Sequence, residues 1–161
     1  MQYIEYIEES KTWTCPKTGK WKVICVGGGG AGKYSMGGSS TSGTNGSATS
    51  FGTYLIAEGG KANYASDTGR NDEKYFVMMG YTGIGNNYGE LLPNEVKNNP
   101  SYGYGLGFGN ACGSCGFVKV SIIDLTLNET IVCTIGTGGT NSAVSGTKAG
   151  NGVIIVQYLG E

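Results

Sequence analysis

Few residues in this chain are equipped for chemistry. Cys112-Gly113-Ser114-Cys115 has the spacing that supplies half of a tetrahedral zinc site or a redox pair. Its complement is missing. There is no second such motif, Cys15, Cys25 and Cys133 are scattered through strand-like runs, and the sequence contains no histidine. No metal and no cofactor are expected, which leaves inert thiols or a local disulfide in a glycine turn. Without histidine, Ser-His-Asp and Cys-His nucleophile pairs are excluded. Gly27 to Lys33 (GGGGAGK) has the look of a phosphate loop, but that motif needs Ser or Thr after the lysine, and Tyr34 stands there. Asp72 and Glu73 are adjacent in a polar stretch, where carboxylates form a solvated surface and not a pair flanking a scissile bond. The expectation is a protein that is not an enzyme.

Recognition suits the composition better. The irregular middle of the chain interleaves tyrosines with asparagines, the residue types of adaptable binding loops, and Tyr and Asn together also suit sugar rings. The candidate ligand contacts are Tyr81, Asn86, Asn87, Tyr88, Tyr102 and Tyr104. For Tyr102 and Tyr104 the alternative of plugging the core stands equally open.

These residues need a scaffold, and the stretch that organises it is Trp21 to Gly32 (WKVICVGGGGAG), an apolar run that flows into four consecutive glycines. Helix is disfavoured there, since each interior glycine costs about 1 kcal/mol relative to alanine. Glycine makes up 31 of 161 residues and proline only 3, without a strict every-third-residue repeat, so collagen is excluded. The glycines lie between core-like strands, which points to close backbone packing and not to a slack linker. The expected lattice positions are Gly27, Gly28, Gly29, Gly30, Gly32, Gly37, Gly38, Gly59, Gly60, Gly138 and Gly139.

Charged residues are 14% of the chain and the net charge is −1, so no electrostatic footprint for nucleic acid exists. No apolar run is long enough for a membrane span, and the start MQYIEYIEES lacks the features of a secretion signal. Five cysteines are an odd set, and together these features suggest synthesis in a reducing cytoplasm.

Along the chain, strands are expected at Gln2 to Glu9, Lys11 to Cys15, Trp21 to Val26, Phe51 to Glu58, Phe117 to Ile123, Thr130 to Ile135 and Gly152 to Leu159. Lys17-Thr18-Gly19-Lys20 is expected to close a hairpin between the second and third of these. Asp124 to Glu129 reads as the turn before a return strand. Tyr102 to Gly109 (YGYGLGFG) alternates large and bare positions, which in an extended strand would give one aromatic face. A helical turn is expected at Glu90 to Lys97, around Pro93. About eight strands with almost no helix, in a length that suits one domain, argue a two-sheet sandwich or jelly roll. Residues 1–161 form that domain, with 27–50, 59–110 and 136–152 as glycine-rich or loop insertions.

Four ordered blocks carry a resemblance. WTCPKTGKWKVICVGGGGAG is followed by SATSFGTYLIAEGG, then by GFVKVSIIDLTLNETIVCTIGTGG, and finally by GNGVIIVQY. This order resembles the glycine-rich domain of bacteriophage tail-fibre and receptor-binding proteins, and is similar to the glycine-rich region of the anaplastic lymphoma kinase receptors. The resemblance runs from Lys11 to Tyr158 and departs between Lys61 and Asn99, which is less glycine-rich and carries charges. It implies a jelly-roll-like (tumour-necrosis-factor-like) β-sandwich with inserted glycine-rich polyproline II helices. It further implies a virion-exposed homotrimer, associated with other virion proteins, that binds a bacterial cell-surface glycan or protein. The rival expectation is a structural appendage that self-associates without reading a host ligand.

Overall fold

The structure, a computed structural model, describes residues 3–63, 102–103, 105–108 and 111–161. The described part is all-β. Eight of its strands make two antiparallel sheets of four. The first sheet is ordered β1 (Ile4–Ile7), β12 (Val153–Gly160), β3 (Gly19–Val26), β10 (Val118–Leu125). The second is ordered β2 (Lys11–Thr14), β11 (Thr130–Thr134), β6 (Thr49–Phe51), β7 (Leu55–Ala57). Two small hairpins, β4 (Tyr34–Met36) with β5 (Ser39–Thr41) and β8 (Gly107–Phe108) with β9 (Ala111–Cys112), stand apart from these sheets.

The sheets face each other across one apolar cluster. Trp21, Val23, Cys25, Leu125, Ile154 and Val156 come from the first sheet, and Trp13, Phe51, Ala57, Ile131 and Cys133 from the second. In the second sheet the strands alternate buried and exposed, so one face is core and the other meets water. The central β3 and β12 are different: Val23 to Val26 and Val153 to Val156 are buried on both faces, as their unbroken apolar runs require.

Two tight connections correct the sequence expectation. Lys11–Thr14 and the strand containing Trp21 do not form a hairpin, because β2 pairs with β11 while β3 pairs with β12 and β10. Residues 15–18 instead arch from one sheet to the other. Pro16 lacks an N–H for a ladder. The arch lets Trp13 and Trp21 meet edge to face across the core, with ring centroids 5.3 Å apart, where a hairpin would have set them side by side. The connection 126–129 does the same, so β11 is not the return partner of β10. Asn128 takes the left-handed conformation there (φ 67°), which asparagine tolerates better than most residues. The two arches are laced together by Cys15 N–H to the Glu129 carbonyl (2.8 Å), Asn128 N–H to the Cys15 carbonyl (2.8 Å) and Leu127 N–H to Thr18 Oγ1 (2.9 Å).

Two further expectations are corrected. The run Phe51 to Glu58 is not one strand: Gly52, at φ +52°, turns the chain so that Phe51 pairs with Leu55. Tyr102 to Gly109 is not a continuous alternating strand either. Gly103 has φ +66°, Leu106 makes an isolated parallel bridge to Ala31, and among the described residues of this stretch only Gly107 and Phe108 belong to a strand.

Candidate functional site

Beyond Val26 the chain leaves the sheet and enters a glycine layer. Residues 27–32 are buried although they carry almost no side chain, so their main-chain polar groups must find partners. From Gly27 to Ala31 each N–H does. Gly27 and Gly30 donate to the carbonyls of Phe117 and Ser114, Gly28 and Ala31 to those of Ser47 and Thr44, and Gly29 to that of Gly150. On the acceptor side, the carbonyls of Gly28 and Ala31 receive Gly60 and Asn63, that of Gly29 receives Gly139, and that of Gly30 receives Leu106. Residues three apart in this segment therefore address the same neighbour. The same recurrence appears where Thr44 and Ser47 donate to Thr140 and Thr137, where Ser114 and Phe117 donate to Lys61 and Glu58, and where Gly113 and Gly116 donate to Leu106 and Gly103.

Side chains are excluded at the crossing points. A Cβ on Gly27 or Gly30 would stand 2.0 Å or 2.3 Å from the carbonyl oxygens of Glu58 or Lys61. On Gly28 it would stand 2.2 Å from the oxygen of Thr137, on Gly59 2.1 Å from that of Gly46, and on Gly60 2.1 Å from that of Ser114. Gly138 and Gly139 would meet the oxygens of Ala149 at 1.8 Å and Thr44 at 2.0 Å. Gly29 takes part through both its N–H and its carbonyl, and Gly32 through its carbonyl, which receives the Asn141 side-chain amide at 3.0 Å.

Gly37 and Gly38 are a correction. They have open space where a Cβ would go and sit at φ +61° and +85° in the two-residue turn between β4 and β5. These are the angles of a type I′ hairpin turn, so glycine serves a turn there and not close packing. Conversely, Gly43, Gly46, Gly113, Gly116, Gly136 and Gly152 are layer positions that the sequence reading missed, each placing a Cβ within 2.3 Å of a backbone oxygen or of the Thr49 hydroxyl. For all of these but Gly152 the signal was in the sequence as local pairs three residues apart, 43/46, 113/116 and 136/139, matching 27/30.

Side chains complete the network where glycine carbonyls and amides run out of main-chain partners. Thr49, fully buried, accepts from Gly136 N–H at 2.8 Å. Asn141, also buried, donates to the carbonyls of Gly32 and Thr41 and accepts from Ala143 N–H at 3.0 Å.

Of the proposed ligand contacts, Tyr81, Asn86, Asn87, Tyr88 and Tyr104 lie outside the described residues, as does the helical turn expected at Glu90 to Lys97. Tyr102 is described and its ring is buried, packed with Ile24, Val26, Val118, Val153 and Ile155 on the outer side of the first sheet. Only its hydroxyl reaches a cleft of about 320 Å³, where it donates to Glu8 Oε1 and lies near Lys148 and the backbone of 149–152. Burial, and then the Glu8 bond, raise the Tyr102 pKa, so the phenol stays protonated. The ring is thus unavailable for stacking, and what Tyr102 offers a ligand is a hydroxyl paired with a carboxylate.

Cys25 and Cys133 are not poised for reaction. Burial pushes Cys25 up to about 12 and Cys133 up to about 11, far from the thiolate range at neutral pH. Cys115 is buried as well. Among the described residues no cluster of His, Cys, Asp or Glu could hold a metal ion, and no helix is long and apolar enough to cross a membrane. Comparison of the chain with protein-family models, with curated proteins and with solved structures returned no match.

Proposed function

We propose that this chain is the receptor-binding tip of a bacteriophage tail-fibre-type protein, a jelly-roll-like sandwich whose glycine segments are wound as polyproline II helices. In this reading it carries no catalysis. It works as a homotrimer on the virion, held by other virion proteins, and presents loops to a bacterial cell-surface glycan or protein. The observation that carries the proposal is the three-residue recurrence of hydrogen bonds around Gly27 to Ala31. A polyproline II helix has three residues per turn and no internal hydrogen bonds, so its amides must point in three directions to neighbouring segments. Such a layer fixes the bases of loops that leave it without contributing side chains of its own. The four sequence blocks that resemble tail-fibre glycine-rich domains are the same blocks that build the sheets and this layer.

The test is direct binding. Fluorescently labelled protein is expected to bind cells of a susceptible bacterial strain saturably and to be displaced by unlabelled protein. If it binds no strain in a broad panel while remaining folded, the receptor-binding reading fails. Slow amide exchange at Gly28 to Ala31 tests the scaffold separately; rapid exchange throughout that segment would remove the layer on which the reading stands.

One observation favours the rival reading, a self-associating structural appendage. The outer face of the first sheet exposes Tyr6 and Val120 at the ends of one cross-strand row, whose centre, Ile155 and Ile24, is buried, and Ile4 and Ile122 at the ends of the next. Ile122 is 61% exposed. Filaments or higher oligomers in solution, dispersed by Ile122→Lys and without cell binding, would select that reading.

A further inference from the structure

The end of the sandwich opposite the glycine layer is built from the two arches and the tip of the β6–β7 hairpin. From this corner an open groove of about 570 Å³ runs along β11, within the size range of small-ligand sites. We infer that this groove, headed by Tyr54 and Glu129, binds a neutral hexose unit of a glycan. The inference stands apart from the tail-fibre reading.

Tyr54 is an aromatic ring held in place yet open to solvent. Its N–H donates to the Phe51 carbonyl at 3.1 Å, its ring lies 6.4 Å from that of Phe51, and its hydroxyl donates to Glu129 Oε1. Gly52 N–H, bonded to the Val132 carbonyl at 2.9 Å, fixes the hairpin tip on which it stands. Even so the tyrosine is 48% exposed. A rigid exposed ring loses little entropy on binding and offers a face for the C–H side of a sugar.

Glu129 supplies the acceptor. Hydrogen bonds from Tyr54 and then from Thr126 hold its carboxyl below the usual carboxylate range, so it is ionised at neutral pH. Oε1 accepts from Tyr54, and Oε2 accepts from Thr126 N–H at 3.1 Å and Thr126 Oγ1 at 3.2 Å. A carboxylate has about four lone-pair positions, so one on Oε1 is left for a ligand hydroxyl. Beyond this corner the outward residues of β11 run hydroxyl, methyl, hydroxyl: Thr130, Val132 (63% exposed) and Thr134, with Ser50 in register beside Thr134. The lining has no lysine or arginine, and its one charge is negative, which selects against phosphate and other anions. A ring face, a preset carboxylate and alternating hydroxyl and apolar groups match a neutral sugar.

The experiment is an amide chemical-shift titration of the intact chain with methyl glucoside, methyl galactoside, methyl mannoside and N-acetylglucosamine at tens of millimolar. At least one probe is expected to cause saturable shifts at Gly52, Tyr54, Thr130, Val132 and Thr134. Tyr54→Ala should weaken that binding about tenfold, equivalent to about 1.4 kcal/mol. Glu129→Gln, which keeps the size of the side chain, should weaken it several-fold with the fold intact. Ile122→Thr, on the outside of the other sheet, should leave it unchanged. No saturable shift with any probe, or shifts insensitive to both groove substitutions, overturns the inference. Shifts confined to the Tyr102 cleft also overturn it while leaving the receptor-binding reading intact. Loss of cell binding with a saturable groove does the reverse.

Discussion

The sandwich and the glycine layer bury parts of the same chain by opposite means. In the sandwich, side chains fill the space between two sheets, with the Trp13 ring meeting both Trp21 and Phe51 at ring-centroid distances of 5.3 and 5.6 Å. In the layer there are almost no side chains, and backbones approach until the carbonyl of one segment occupies the place of a Cβ on the next. The first region is stabilised by apolar area removed from water, about 25 cal/mol per Å². The second gains little from that source, and its cohesion rests on satisfying each buried amide, since an orphaned buried donor costs about 1–3 kcal/mol. The sandwich should therefore tolerate conservative changes of shape, whereas the layer should tolerate no added atom where segments cross.

The largest expected effect breaks the layer. Gly28→Val would place a Cβ 2.2 Å from the Thr137 oxygen and 2.6 Å from its carbonyl carbon. Neither is a flexible side chain, so two segments must separate. A loss of at least about 4 kcal/mol is expected, in the tail reserved for disruptive single substitutions, and circular dichroism should show no cooperative melting near the parent temperature. A variant melting like the parent would mean that the layer is not packed as described.

Alkaline pH should act through the sandwich and through the Tyr102 ring packed on its outer side, not through the glycines of the layer. Cys25 and Cys133 have folded pKa values of about 12 and about 11 against an ordinary 9.0. The unfolded chain releases these protons from pH 9 upward while the folded chain holds them, so their contribution is fully present below pH 9 and is lost as pH rises through 11 to 12. Tyr3, raised from 10.0 to about 12 by burial and by its bond to Glu5, adds to the same trend. Urea midpoints should be flat to pH 9 and fall above it, and Cys25→Ala should flatten that fall. A fall that Cys25→Ala and Cys133→Ala leave unchanged would remove the thiols from the explanation.

The contrast also explains what could be read before the fold was known. β12 is legible because its apolar continuity matches its burial, whereas β10 and β11 are legible as strands but not in which side they bury, since the apolar Val120, Ile122 and Val132 face outward. The pairing of those strands was not legible. Lys17 to Lys20 has hairpin composition, yet the chain arches there because both Trp13 and Trp21 must face one core, a constraint of tertiary packing that no local motif records. In the layer, runs of glycine were visible but their roles were not. Gly37-Gly38 and Gly138-Gly139 read alike, and only the surroundings distinguish a turn from a crossing point. The groove headed by Tyr54 was hidden for a similar reason, since Tyr54 and Glu129 are 75 residues apart and meet only through the crossing of the chain between sheets.

A smaller effect probes the junction of the two regions. Thr49 is fully buried at the start of β6, and its hydroxyl accepts from Gly136 N–H at the edge of the layer. Thr49→Val preserves the shape and removes the acceptor. A cost of about 1–3 kcal/mol is expected from the stranded amide, with faster exchange at Gly136 and no change at Trp21. If the Thr49→Val substitution proved neutral in chemical denaturation, main-chain satisfaction would not be what holds the layer to the sandwich.

The smallest effect should come from glycines that only look like lattice members. Gly37 and Gly38 lie in the β4–β5 turn with nothing within 4 Å of an added Cβ, so the sole demand on them is a positive φ. Asparagine meets that demand better than other residues with side chains and is favoured at the first central position of this turn type. Gly37→Asn is accordingly expected to change stability by no more than about 0.5 kcal/mol, the range of surface substitutions away from special features. Gly37→Val in the same turn should cost more, because a β-branched residue resists positive φ, but far less than valine at Gly28. Measured by urea denaturation, the three substitutions separate two reasons for glycine in one sequence. A cost at Gly37 equal to that at Gly28 would show that turn geometry, and not close backbone approach, is what the glycines of this chain supply.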